Sequence, residues 1–176
     1  MTTDPGLLDP ERIAALLSAV PDALAAELRG LGRNGARWRP APDAWSFAEV
    51  VGHLIEAERR GFAGRIRVIL RSGDPEVELA RWDQKAVSAA RDDRSADPTA
   101  LLAELRAIRL DGISLVRGLE PADLARTGRH PVVGILRVDE LLAEWVHHDR
   151  AHLRQALEVA QTWSWGSMGA TRAFDA

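Results

Sequence analysis

Apolar residues recur every three or four positions through most of this chain, and the recurrence breaks at a few clusters of glycine, proline and polar residues. Residues 8–30, LDPERIAALLSAVPDALAAELRG, carry the first repeat, with a break expected at Pro21. The stretch LGRNGARWRPAPDA that follows reads as a loop. WSFAEVVGHLIEAERRGFAGRIRVILR predicts a second helix with a well-marked start. Ser46 is its N-cap, Glu49 completes a capping box, and Trp45 and Val50 are placed to form a hydrophobic staple. SGDPEVE, residues 72–78, reads as a turn or loop, and ARWDQKAVSAAR as a short helical piece. Asp97 followed by Pro98 predicts a third long helix over about 98–119. EPADLARTGRHPVVGILRV reads as a connector, punctuated by Pro121, Gly128, Pro131 and Gly134. Asp139 is expected to cap a last helix running to about residue 160. QTWSWGSMGATRAFDA then forms an irregular tail, whose Trp163 and Trp165 are candidates to pack back onto the body.

Four long amphipathic helices with variable connections predict an all-α fold, a four-helix bundle with one short extra helical segment. There is no internal repeat and no sign of a second domain. The expected organisation is one domain over residues 1–176, with a core of about 8–160 and a tail of 161–176.

The last helix also carries three of the chain's five histidines, in WVHHDRAHLRQ. At about 100° per residue, Leu141, Leu142, Trp145, Val146, Leu153, Ala156, Leu157 and Val159 share one broad face. His152 falls within that stripe and His148 at its margin, four residues apart and able to reach one ion. His147 points away, toward Arg150, Arg154 and Glu158, and is expected in solvent. An HxxxH pair alone is a weak sign of metal, because such pairs are more often surface or core residues. His53 is the natural third ligand, two turns into the second helix, beside Ala57, Gly61 and Gly64. Those small residues either admit another helix closely or leave a hollow beside the imidazole. In the plainer reading His53 pairs with Glu49 or Glu56 and binds nothing. Asp149 falls near the middle of the apolar face, where a carboxylate needs a partner: it anchors another helix, orients a histidine, or sits in solvent on a rotated turn. Gln155, one turn past His152, is placed for an outer hydrogen bond or for packing.

Composition narrows the chemistry. Hydrophobic residues make up 46% and charged residues 28%, a globular balance. A net charge of -3 argues against a nucleic-acid binder. No apolar run approaches a membrane span, and MTTDPGLLDP has neither a basic n-region nor an apolar h-region, so a cytoplasmic location is expected. The chain has no cysteine, which excludes disulfides, thiolate ligands and a thiol nucleophile of its own. Metal binding falls to imidazole and carboxylate, and thiol chemistry would need an external thiol. Arg65, Arg67 and Arg71 could attract an acidic substrate, although a solvated face is the simpler account.

WSFAEVVGHLIEAE resembles the second-helix motif W-S-x-x-E-x-x-x-H-L-x-x-x-E of the DinB-like superfamily. HPVVGILRVDELLAEWVHHDRAHLRQ resembles that superfamily's last-helix block, with its pattern W-x-x-H-D-x-x-H-x-x-Q. The resemblance covers nearly the whole chain. It implies an up-down-down-up bundle and one divalent ion, zinc or nickel, held by His53, His148 and His152, with a fourth position for water or a substrate atom. Glu49, Asp149 and Gln155 are then candidates for the surrounding shell. His130 matches the H-P-x-x-G element and either lines the mouth of the site or serves the turn. Characterised relatives include S-transferases that use mycothiol, bacillithiol or glutathione, and a mycothiol-dependent maleylpyruvate isomerase. The resemblance thus implies a small-molecule substrate and transfer of a low-molecular-weight thiol. A metal-dependent hydrolase is the alternative, because His148-Asp149-Arg150-Ala151-His152 has the spacing of HExxH with Asp149 in the place of the base. A non-catalytic, stress-associated metal-binding protein is a third reading, and a homodimer is left open.

Overall fold

In the computed structural model, which describes residues 9–175, the helical pattern becomes a bundle with one small hairpin. The stretch MTTDPGLL and the expected helix start at residue 8 lie outside the described residues. Helix α1 spans Pro10–Arg37, α2 Phe47–Glu56, α3 Ala63–Arg71, α4 Gln84–Arg91, α5 Pro98–Arg117 and α6 Val138–Trp165. A π-helical turn, Ala57–Gly61, joins α2 and α3 into one long rod. Strands β1, Thr127–His130, and β2, Gly134–Arg137, pair antiparallel.

Contacts between rods give their directions. Arg117 meets Glu11 and Arg106 meets Asp22, so α5 runs against α1. Arg150 donates to the Leu16 carbonyl and Trp163 lies at Gly35, so α6 runs with α1. Phe62 stacks on Trp145 and His53 lies beside His152, so the α2–α3 rod runs against α6. The order is up, down, down, up. This is the all-α four-helix bundle expected from the pattern, with α4 as the extra helical segment.

The start of α2 follows the sequence closely. Glu49 Oε2 accepts from the Ser46 N–H at 2.9 Å, and Ser46 Oγ accepts from the Glu49 N–H at 3.3 Å, closing the capping box. Trp45 packs at the edge of the apolar cluster that holds Val50.

Other boundaries differ from expectation, each for a physical reason. Pro21 does not break α1, and the helix runs through the stretch read as a loop, with a kink at Gly32 (φ 60°). Gly35 and Ala36 are buried in that extension, with the Trp163 ring 3.3 Å from where a Gly35 Cβ would stand. Tertiary cover thus outweighs the breaker composition. Asp139 is not the cap of α6. The cap position falls two residues earlier, at Arg137, and the Asp139 carboxylate takes the Arg137 guanidinium at 2.6 and 2.9 Å. The same helix continues to Trp165, so the start of the tail is helical, and Gly169–Asp175 adds a 3-10 turn rather than irregular chain. Trp163 does return to the body, edge-on to Trp38 at 5.5 Å. The connector before α6 holds the hairpin, whose four-residue strands are too short for alternation to show. Leu157, counted on the apolar face, is exposed.

The proline is accommodated by an arginine from another rod. Leu17 would give its carbonyl to the N–H of residue 21, which proline lacks. Arg109 of α5 donates to that carbonyl from Nη1 at 2.8 Å. The same guanidinium donates from Nε to Glu58 in the π turn at 2.8 Å and from Nη1 to Asp149 of α6. Arg109, Glu58 and Asp149 are each only 2% exposed. Burial pushes the Glu58 carboxyl up to about 7, with Asp149 adding to the shift and Arg109 opposing it. Gly64 serves the π turn: a Cβ there would stand 1.9 Å from the Arg59 carbonyl oxygen.

Replacing Ser46 with alanine removes the hydroxyl side of the capping box while keeping the backbone N–H that donates to Glu49. It should cost about 1 kcal/mol, read as a lower urea midpoint at unchanged slope. Arg109→Ala should be far more damaging, about 3–5 kcal/mol, because it strands two buried carboxyls and a backbone carbonyl. A loss of under about 1 kcal/mol in Arg109→Ala would show that water replaces the guanidinium without penalty.

Candidate metal centre

Two antiparallel rods bring the site together. The capping box sets the start of α2, and His53 follows on its inner face, 4% exposed. From α6, His148 and His152 reach across on successive turns, both half-buried. One ring nitrogen from each of the three residues lies within 4.8 Å of the others. His53 Nε2 and His148 Nε2 are 3.0 Å apart.

Aromatic rings wall the cluster. Trp45 lies 5.0 Å from the His53 ring and 6.1 Å from His152. Trp82, just before α4, stacks on His53 at 6.1 Å, and Phe62 meets His148 edge-on at 5.1 Å. Such walls exclude water and disfavour imidazolium. Burial holds His53 and His148 at about 3, helped by the positive charge their neighbouring histidines would carry. His152 is lowered too, again by burial, although its bond to Gln155 and the Asp149 charge oppose this. The three rings are therefore neutral at neutral pH.

The hydrogen-bond pattern leaves lone pairs free. Gln155 Oε1 can only accept, so its 2.8 Å contact places a hydrogen on His152 Nδ1 and leaves Nε2 bare. Between the facing Nε2 atoms of His53 and His148 there is room for one hydrogen or one cation. Nδ1 of His148 is buried without a partner. Neutral nitrogens crowding one point, two of them from a single helical face, form a donor set that fits a divalent transition-metal ion.

Comparison with known proteins supplies the family. Residues 16–156 match the family model of the DinB superfamily. The chain belongs to that superfamily. YfiT of Bacillus subtilis, provisionally named a metal-dependent hydrolase, is 26% identical over 122 residues, covering 69% of this chain and 67% of that protein. A Bacillus mycoides protein of similar provisional name is 20% identical over 146 residues, covering 83% of this chain and 82% of its own length. The solved YfiT structure, described as a four-helix bundle of unusual topology, superposes with a TM-score of 0.77 at 22% identity over 86% of each chain.

The remaining candidates of this DinB-superfamily chain fall into place around the triad. Gln155 holds His152. Asp149 is buried on Arg109 and is not a solvated residue. Glu49 accepts from Ser46 and from the Arg39 guanidinium, so it anchors the helix that carries His53 and does not touch the ring. Glu56 is likewise occupied, by Arg60 and Arg91. Both partners offered for His53 in the plainer reading are thus engaged elsewhere. His147 is exposed, as expected. Of the small residues after His53, Ala57 is in the core and Gly64 serves the π turn, while a Cβ on buried Gly61 would meet nothing within 4 Å. Trp45, Trp82, Phe62, Glu58 and Arg109 were not singled out as site residues from the sequence. Arg109 had a signal, since it interrupts the rhythm Leu102, Leu105, Arg109, Gly112, Val116.

If these rings hold the ion, His53→Ala or His152→Ala abolishes stoichiometric metal in elemental analysis, and His147→Ala retains it. Equal loss in His147→Ala would overturn the assignment. Without metal, the depressed ring pKa values make stability fall as pH drops. Unfolded histidines take protons below about 6.5 while the folded rings resist down to about 3, so the unfolded state gains protons through that window. The urea midpoint of metal-free protein should therefore decline from pH 6.5 toward 3 more steeply than that of His53→Ala. Parallel curves would show that the rings are solvated.

Proposed function

We propose that this protein is a metal-dependent enzyme that activates a low-molecular-weight thiol and transfers it to a small electrophile. The observation that carries the reading is a ring of three neutral imidazoles that no free carboxylate joins among the described residues. A divalent ion in such a set keeps its full positive charge and lowers the pKa of a thiol or water at its open position. Zinc and nickel both suit nitrogen donors and an open position.

The chain's own residues then position and exclude. Gln155 fixes the His152 tautomer, and Arg109, through Asp149, holds α6 beside His148. Trp45, Trp82 and Phe62 keep bulk water from the rings. A cavity of about 560 Å³ bounded by Pro40, Trp45, Gln84, His152, Gln155 and Thr162 gives a small molecule room beside the triad. The chain has no cysteine, so the thiol comes from outside. The cytoplasm, where such thiols stay reduced, is the compartment this reading calls for.

The provisional names of the relatives favour a second reading, metal-dependent hydrolysis. Asp149 is poorly suited as its base, because its carboxylate is buried on Arg109. In both readings it orients the helix.

Cobalt-substituted protein separates the two. Adding glutathione should bring in a near-ultraviolet charge-transfer band, strengthening with pH as the thiol ionises. With no cysteine in the chain, any such band reports the added thiol. An unchanged spectrum, with ester turnover that needs no thiol, would replace the transferase reading by the hydrolase. Metal binding with neither response would mark a non-catalytic protein.

A further inference from the structure

Arg65 differs from the other half-buried arginines among the described residues. Arg37, Arg126 and Arg150 donate to backbone carbonyls at 2.6 to 2.9 Å, and Arg39, Arg67 and Arg91 reach carboxylates. Arg65 has no carboxylate partner and meets only the Ala80 carbonyl, at 3.5 Å. Its Nε is buried without an acceptor, as is that of Arg37, whose Nη2 however is held by the Ser95 and Ala96 carbonyls.

Its Nη2 lies 3.1 Å from Nε2 of His130, which is 9% exposed at the end of β1. The other ring nitrogen, Nδ1, is 3.3 Å from the Val132 N–H, which can only donate. A neutral imidazole has one acceptor nitrogen. Only one of these two contacts can be a hydrogen bond. With Nδ1 serving Val132, Nε2 carries the hydrogen and faces the guanidinium donor to donor; with Nε2 accepting from Arg65, the Val132 N–H is the donor left over. Arg81 adds a second positive charge near the ring. The pair needs an acceptor that its described neighbours do not provide.

Its position connects it to the triad twice. Arg65 leaves α3 one turn beyond Phe62, whose ring meets His148. The chain that passes Arg65 at Ala80 continues to Trp82, which stacks on His53.

We propose that Arg65 and His130 form an oxyanion subsite at the mouth of the three-histidine site, taking a carboxylate group of the substrate. Two donors, one from each side chain, match the two oxygens of a carboxylate, and the guanidinium supplies the charge. This rests on the reading of the triad as the place of reaction and restricts its substrates to acids.

The test is a titration of the full chain with sodium acetate replacing chloride at constant ionic strength, followed by the His130 ring resonances in NMR. It is run on metal-free protein and on His53→Ala, so that its outcome is separate from whether an ion binds or reacts. Saturable shifts of the His130 ring are expected in both, weakened by about tenfold or more in Arg65→Gln. Arg65→Lys, which keeps the charge and loses the fork, should fall between them and serves if the glutamine variant does not fold. No saturable shift, or an equal one in both Arg65 variants and the unmodified chain, overturns the subsite. Tighter binding of inorganic phosphate than of acetate overturns its assignment to carboxylates.

Discussion

A guanidinium shut away from water must have its hydrogens accepted and its charge balanced by the protein itself. Arg109 answers that demand through Nε and Nη1, drawing on three other rods at once: the Leu17 carbonyl of α1, Glu58 of the π turn and Asp149 of α6. Nη2 alone is buried without an acceptor among the described residues. Desolvating so many charges brings little net stability. What it brings is register. Sliding or rotating any rod by one residue would leave a buried charge without its partner, and the apolar contacts alone would tolerate such a shift far better. The π turn belongs to the same arrangement, because it carries Glu58, whose buried carboxylate accepts from Arg109.

The triad inherits its geometry from this register. His148 and His152 flank Asp149 along α6, so the helix that presents them is held at the residue between them. His53 is positioned from the other end of its own rod, by the capping box and by Arg39 on Glu49. Rings brought together this way are held neutral by their aromatic walls, and like charges would force them apart if they were protonated. The arrangement is preorganised for a cation and not for protons.

Helix periodicity, the capping box and the direction of each histidine on α6 were legible because they depend on neighbours in the chain. So were the two motifs that resemble the DinB-like superfamily. The boundaries that could not be read depend on partners far away. Nothing near Gly32 announces that Trp163 will cover the next turn of α1, and nothing near Pro21 announces Arg109. The hairpin is set partly by the segment at Val77 and Leu79, which pairs with Arg129 across a long stretch of chain. Asp139 looked like a cap because a short acid before an apolar run usually is one. Arg137 instead draws its carboxylate back along the chain. At the site, the histidines carried their own signature, whereas the tryptophan walls read as ordinary core residues.

Pro21 has a consequence for how the molecule comes apart. The carbonyl it leaves open is closed by a residue 92 positions later in the chain. Helix α1 cannot complete its own ladder as a local event; the bond appears only when α5 has docked. Any fluctuation that lifts α5 from the bundle must therefore open the middle of α1 as well, and the first and third rods behave as one cooperative unit in partial unfolding.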